Sequence, residues 1–318
     1  MRNLILSVAA GLALAVSASA FAAQNAYDEP EKCKEVRFSD VGWTDITATT
    51  AATTVVLEAL GYSPDVKVLS VPVTYTSLKN ADIDVFLGNW MPTMEADLAP
   101  YREEGSVDVV GVNLEGAKYT LAVPQYTYDA GLQDFSDIAE FREQLDGKIY
   151  GIEPGNDGNR LILDMIAADA FGLNGFEVVE SSEQGMLAQV GRAVKNKEHI
   201  VFLGWAPHPM NANYDMAYLS GGDDYFGPDY GGATVYTNVR QGYLEECPNV
   251  ARFLNNLKFT LAMENEIMGA ILNEDQDPEK AARAWLKNHP EMLETWLKGV
   301  RTTADGNALE AVKAELGI

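Results

Sequence analysis

Val85-Phe86-Leu87-Gly88-Asn89-Trp90-Met91-Pro92 and Val201-Phe202-Leu203-Gly204-Trp205-Ala206-Pro207 are two renderings of one pattern: an apolar run, a glycine, a tryptophan, a proline. A short apolar run closed by Gly and Pro reads as a buried strand, and each of these ends at its tryptophan. Outward from the first, strands are expected at 36–39 and 66–69 and helices at 46–60, 76–80 and 93–104. Outward from the second, strands are expected at 119–123, 149–152 and 176–179 and helices at 136–145, 160–171 and 184–195. A Gly-, Asp- and Tyr-rich stretch at 220–232 breaks the pattern; then come a returning strand at 235–239 and helices at 250–272, 278–288 and 291–297. Strand–helix alternation is the signature of a mostly parallel sheet flanked by helices. Its restart after Gly116 divides the chain into two α/β lobes, and 318 residues exceed what a single growing core supports.

In open α/β sheets, ligands bind beyond the carboxyl ends of the strands. Trp90 and Trp205 stand at that edge, and Trp43 follows the first strand through Ser39-Asp40-Val41-Gly42. A single tryptophan at a strand end is most often packing; three from two lobes form a constellation. Aromatic faces attract a cation that cannot hydrogen-bond, each ring contributing roughly 0.5–2 kcal/mol. Four such rings would supply much of the roughly 8 kcal/mol that a micromolar ligand needs. A quaternary ammonium is the natural occupant, with Tyr119 as a fourth wall or an ordinary strand tyrosine. Trp285 and Trp296 sit at helical spacing with Ala281, Ala282, Leu286, Leu293 and Leu297 and are read as core.

Asp45 has two readings, a first-turn helix acid and a fixed charge that favours a cation. Asn156, in Pro154-Gly155-Asn156-Asp157-Gly158-Asn159, is either turn chemistry or an amide for a ligand hydroxyl. Arg160 is the nearby group able to pair a carboxylate, and His208 is read as structural. Nucleophile-elbow, zincin, P-loop and dinucleotide motifs are absent, so no enzyme activity, cofactor or metal is expected. A net charge of −24 excludes general nucleic-acid binding and docking on anionic lipid.

Residues 1–22 have the layout of a cleaved secretory signal: Met1-Arg2-Asn3, an apolar Leu4–Val16 and small residues through Ala22. Export to a periplasm follows. In that oxidising compartment Cys33 and Cys247 favour one disulfide over two separate thiols.

The stretches Val41–Asp45, Val85–Pro92, Gly151–Asn156, Gly204–Pro209 and Ala284–Leu297 resemble the substrate-binding proteins of glycine-betaine/choline-type ABC importers. The resemblance implies the two-lobed, type II periplasmic binding protein fold: lobe I at 23–117 plus 235–318, lobe II at 118–234. It implies crossover strands near 115–119 and 233–237, a Cys33–Cys247 bridge, and an aromatic box of Trp43, Trp90, Tyr119 and Trp205 completed by Asp45 and Asn156. The implied ligand is choline, with acetylcholine as a further candidate, the implied partner an importer's membrane permease, and the protein a monomer. A binding protein for glycine betaine or carnitine is the nearest alternative, and a periplasmic hydrolase of choline esters the alternative of another class.

Overall fold

The computed structural model describes residues 29–318. The signal-peptide expectation at 1–22 lies outside the described residues. Nine strands form one curled sheet: β1 Glu35–Asp40, β2 Ser63–Val68, β3 Val85–Met91, β4 Val107–Pro124, β5 Lys148–Tyr150, β6 Glu177–Val179, β7 Phe202–Ala206, β8 Met216–Tyr218 and β9 Gly232–Arg240. Their order is β2-β1-β3-β9-β4-β7-β5-β6, with β8 also paired to β4. The outer strands pair in parallel, β2 with β1, β1 with β3, β7 with β5 and β5 with β6. Two long antiparallel strands, β4 and β9, join the two lobes through the middle of the sheet. The α/β, two-lobed reading therefore holds.

β4 begins twelve residues before the expected strand at 119. The part before residue 119 carries Gly111 and Gly116, and its pairing with β9 shifts register three times. Those irregularities break the alternation by which a strand announces itself. Several helices also differ from expectation, and the one expected at 76–80 runs Val71–Lys79, with Pro72 in its first turn. The segment 136–145 is a 3-10 helix, Phe135–Phe141, opened by an Asp134 capping box. The single helix expected at 250–272 is two, Pro248–Asn256 and Leu261–Glu274. Thr260 caps the second by accepting from the Met263 N–H, a start signal that the apolar pattern across the break conceals.

The helix Thr44–Ala59 is buried on nearly every face although it is rich in threonine. Three of its buried hydroxyls bond back to the preceding turn, among them Thr49 to the Asp45 carbonyl at 3.0 Å and Thr53 to the Thr49 carbonyl at 2.7 Å. Gly88 lets this helix close on β3, because a Cβ there would run into the Ile46 side chain and the Phe86 ring. The approach brings Asp45 beside Trp90. Cys33 and Cys247 are joined, with Cα atoms 5.6 Å apart. The bridge ties the turn before β1 to the start of the helix Pro248–Asn256. No helix among the described residues is long and apolar enough to cross a membrane.

Candidate functional site

The carboxyl ends of β3 and β7 face each other, each followed by a proline, Met91-Pro92 and Ala206-Pro207, with both peptide bonds cis. Between them lies a cavity. Its walls are Trp43, Asp45, Trp90, Tyr119, Asn156 and Trp205, with Ile152 and Asp157 besides. All six residues singled out from the sequence are thus brought together. Trp43, Trp90, Tyr119 and Trp205 are each at most 6 % exposed. The Tyr119 ring stands edge-on between the two strand-end tryptophans, 6.1 Å from Trp90 and 6.3 Å from Trp205. These edge-to-face contacts leave the three rings unstacked, an arrangement that suits a cation held against aromatic walls.

The polar groups are placed by their neighbours. Trp90 Nε1 donates to Asp45 Oδ2 at 3.1 Å, and Trp43 Nε1 donates to Glu153 Oε1 at 2.8 Å. Tyr119 donates to Asn156 Oδ1 at 2.9 Å, which also accepts the Asn159 N–H as the cap of the helix Asp157–Ala167. Asn156 Nδ2 donates to Asp157 Oδ1 at 3.1 Å, so the orientation of its amide is fixed from both ends. Asn156 is thus turn chemistry, capping the helix, and its side chain also lines the cavity. Gly158 makes room for this arrangement, since a Cβ there would collide with the Tyr119 hydroxyl.

The electrostatics favour a positive guest. Asp45 Oδ1 is buried without a hydrogen-bond partner. Burial, then the neighbouring Glu183 carboxylate, push the Asp45 carboxyl up to about 8, against the pull of first-turn amides and the Trp90 N–H. Burial raises Asp157 to about 6 and Glu153 to about 7. Glu264, buried behind Asp45, is also raised, by desolvation and by Asp45 itself. Carboxyls held dry and close together take up protons; a bound cation stabilises the same negative charge without one.

Asp157 escaped the sequence reading because Asn156-Asp157-Gly158 is ordinary turn composition. Glu153 and Glu183 carried no local signal at all. Arg160 is corrected: it does not reach the cavity but pairs with Asp97 at 2.5 Å and donates to the Thr93 carbonyl at 3.3 Å. Trp296 is fully buried, whereas Trp285 is only partly so, stacked 4.1 Å over His289 with its Nε1 on Glu266. His208 is hydrogen-bonded at both ring nitrogens, to Glu183 and to the Met210 N–H.

Comparison with known proteins places this geometry in context. The family model for the substrate binding domain of ABC-type glycine betaine transport systems matches residues 34–288. The chain is 70% identical to an ABC-transporter choline binding protein in complex with choline, with TM-score 0.90 over 91% of this chain and 100% of that one. Against such a protein in an unliganded semi-closed conformation, identity and coverage are again 70%, 91% and 100%, with TM-score 0.84. Lactococcal OpuAC, closed and complexed with glycine betaine, is 27% identical, with TM-score 0.75 over 82% of this chain and 98% of that one.

Proposed function

The chain belongs to the family of substrate-binding domains of ABC-type glycine betaine transport systems, and from that premise we propose that it captures choline and delivers it to the membrane permease of an importer. Proteins of this family serve transport and are not enzymes. The observation that carries the choline reading is the lining of the cavity: four aromatic rings and two carboxylates, with no Lys, Arg or His among the lining residues. The rings take the trimethylammonium head, Asp45 supplies the countercharge, and the Asn156 amide and Asp157 face the hydroxyl end. The 70% identity to a choline complex supports the same reading.

Glycine betaine and carnitine carry the same head with a carboxylate attached. Asp45 and Asp157 repel that carboxylate, and Arg160, the cation the sequence offered it, is engaged with Asp97. Lobe I is taken as 23–117 plus 235–318 and lobe II as 118–234; the boundaries fall where β4 and β9 pair, Ala117 opposite Ala233. Hinge motion about these strands opens the cavity, and a ligand touching both lobes favours closure by its differential affinity. The family acts outside the cytoplasm, and residues 1–22 are the signal that takes this chain to the periplasm. Titration calorimetry with choline, acetylcholine, glycine betaine and carnitine tests the reading. Choline should bind more tightly than either zwitterion; a preference for glycine betaine refutes the assignment.

A further inference from the structure

The helix Thr44–Ala59 carries no side-chain cap of its own. Its first residue is served from elsewhere. Thr44 N–H donates to Glu183 Oε2 at 2.8 Å, and the Thr44 hydroxyl donates to Glu183 Oε1 at 2.5 Å. Glu183 lies 139 residues further along, across the cavity, in the first turn of the helix Glu183–Asn196. It is 1% exposed, and its Oε1 also meets His208 Nε2 at 3.1 Å. His208 Nδ1 accepts the Met210 N–H at 2.9 Å, which leaves the ring proton on Nε2, aimed at Glu183. The same imidazole packs edge-on against Trp205, 4.8 Å between centroids.

We propose that Glu183 is the closure latch of this protein: lobe II donates it as a cap to the uncapped helix of lobe I, and His208 holds it in aim. The inference rests on the reading of a two-lobed protein that closes over a quaternary ammonium. With the lobes apart, water solvates both the Thr44 amide and the Glu183 carboxylate. On closure both are dehydrated and must satisfy each other, because a buried donor or carboxylate left alone is costly. A carboxylate at a helix N-terminus gains from the helix dipole as well. The latch therefore stabilises the closed state selectively, and apparent affinity rises with the fraction of molecules able to close. Glu183 does not line the cavity. It is a positioning residue, and its charge also raises the Asp45 carboxyl, an effect that the two cations choline and acetylcholine share.

The test is Glu183→Gln and His208→Gln in the full mature protein. Choline and acetylcholine binding are followed by calorimetry and stopped-flow, and the melting temperature of the ligand-free protein is recorded. Glu183→Gln should weaken both ligands by the same factor, about tenfold or more, chiefly through faster release. His208→Gln should lose part of that factor. The ligand-free melting temperature should stay within about a degree of wild type, since the open form does not make the bond. Wild-type affinity in Glu183→Gln, losses that differ between the two ligands, or a lowered ligand-free melting temperature overturns the latch while leaving choline binding intact. Absence of choline binding in the wild type overturns the functional reading and the latch together.

Discussion

The strands ending at Trp90 and Trp205 share a local sequence and differ in what stands behind the ring. Trp90 is tied by its Nε1 to Asp45, a carboxyl from the helix Thr44–Ala59. Trp205 is held by packing, with Tyr119 on one side and the His208 ring on the other, while its carbonyl accepts from Asn211 Nδ2 at 2.8 Å. One wall of the cavity is therefore a ring coupled to a charge, and the other is a ring coupled to rings. The difference teaches that repeated strand ends provide the aromatic surface, while selectivity for a cation is concentrated on one side.

If that asymmetry is real, the two tryptophans are not equivalent. Trp90→Ala removes a ring and also, among the described residues, the only hydrogen bond to the Asp45 carboxyl from another side chain. A ring contributes roughly 0.5–2 kcal/mol to a cation, and a hydrogen bond to a charged group about 1.5–3 kcal/mol. Choline affinity should fall about 100-fold in Trp90→Ala and about tenfold in Trp205→Ala, measured by calorimetry. Trp90→Phe should fall between them, because it keeps a ring and loses the N–H. Equal losses in the two alanine variants would break the comparison.

Asp45→Asn probes the charge alone. The Asp45 carboxyl, at about 8, is faced by Glu183 and Glu264, the Trp90 N–H and the amides of its own turn. A cation favours the ionised form, so wild-type affinity should tighten as pH rises from 6 to 8, with a proton released on binding near pH 7. Asn cannot titrate: the variant should bind about tenfold more weakly at pH 8, with the gap closing toward pH 6. Stability should move the opposite way. The folded carboxyl holds its proton above the pH at which the unfolded one loses it, so ligand-free wild type should lose stability between about pH 4 and 8 relative to Asp45→Asn. Parallel pH profiles for the two proteins would remove Asp45 from the selectivity argument.

What could be read from the chain follows from the range of the interactions. Strand ends, glycines and the tryptophans are local signals, and they located the aromatic box and the two-lobed α/β fold. The part of β4 before residue 119 was lost where register shifts erase the alternation, and the break before Thr260 was lost because the apolar pattern runs through it. Glu153, Glu183 and the Arg160–Asp97 pair are tertiary: each bond joins residues at least 63 positions apart, and nothing near any of them in sequence marks it. Asp157 was hidden differently, since turn chemistry accounts for an Asn-Asp-Gly triplet without a ligand.

The charge on the second wall is the smaller one to remove. Asp157 sits at about 6, so near neutrality it is largely ionised, and it orients the Asn156 amide through Oδ1. In Asp157→Asn that acceptor survives as an amide oxygen, and choline affinity should fall only about threefold, with the loss fading below pH 6. Tyr119→Phe should cost less still, about twofold. The ring remains, and Asn156 Oδ1 keeps the Asn159 N–H when the phenol is gone. Were Tyr119→Phe instead to match Asp45→Asn, the hydroxyl–amide chain on lobe II would weigh as much in binding as the carboxyl on lobe I. The two walls would then differ in chemistry but not in weight.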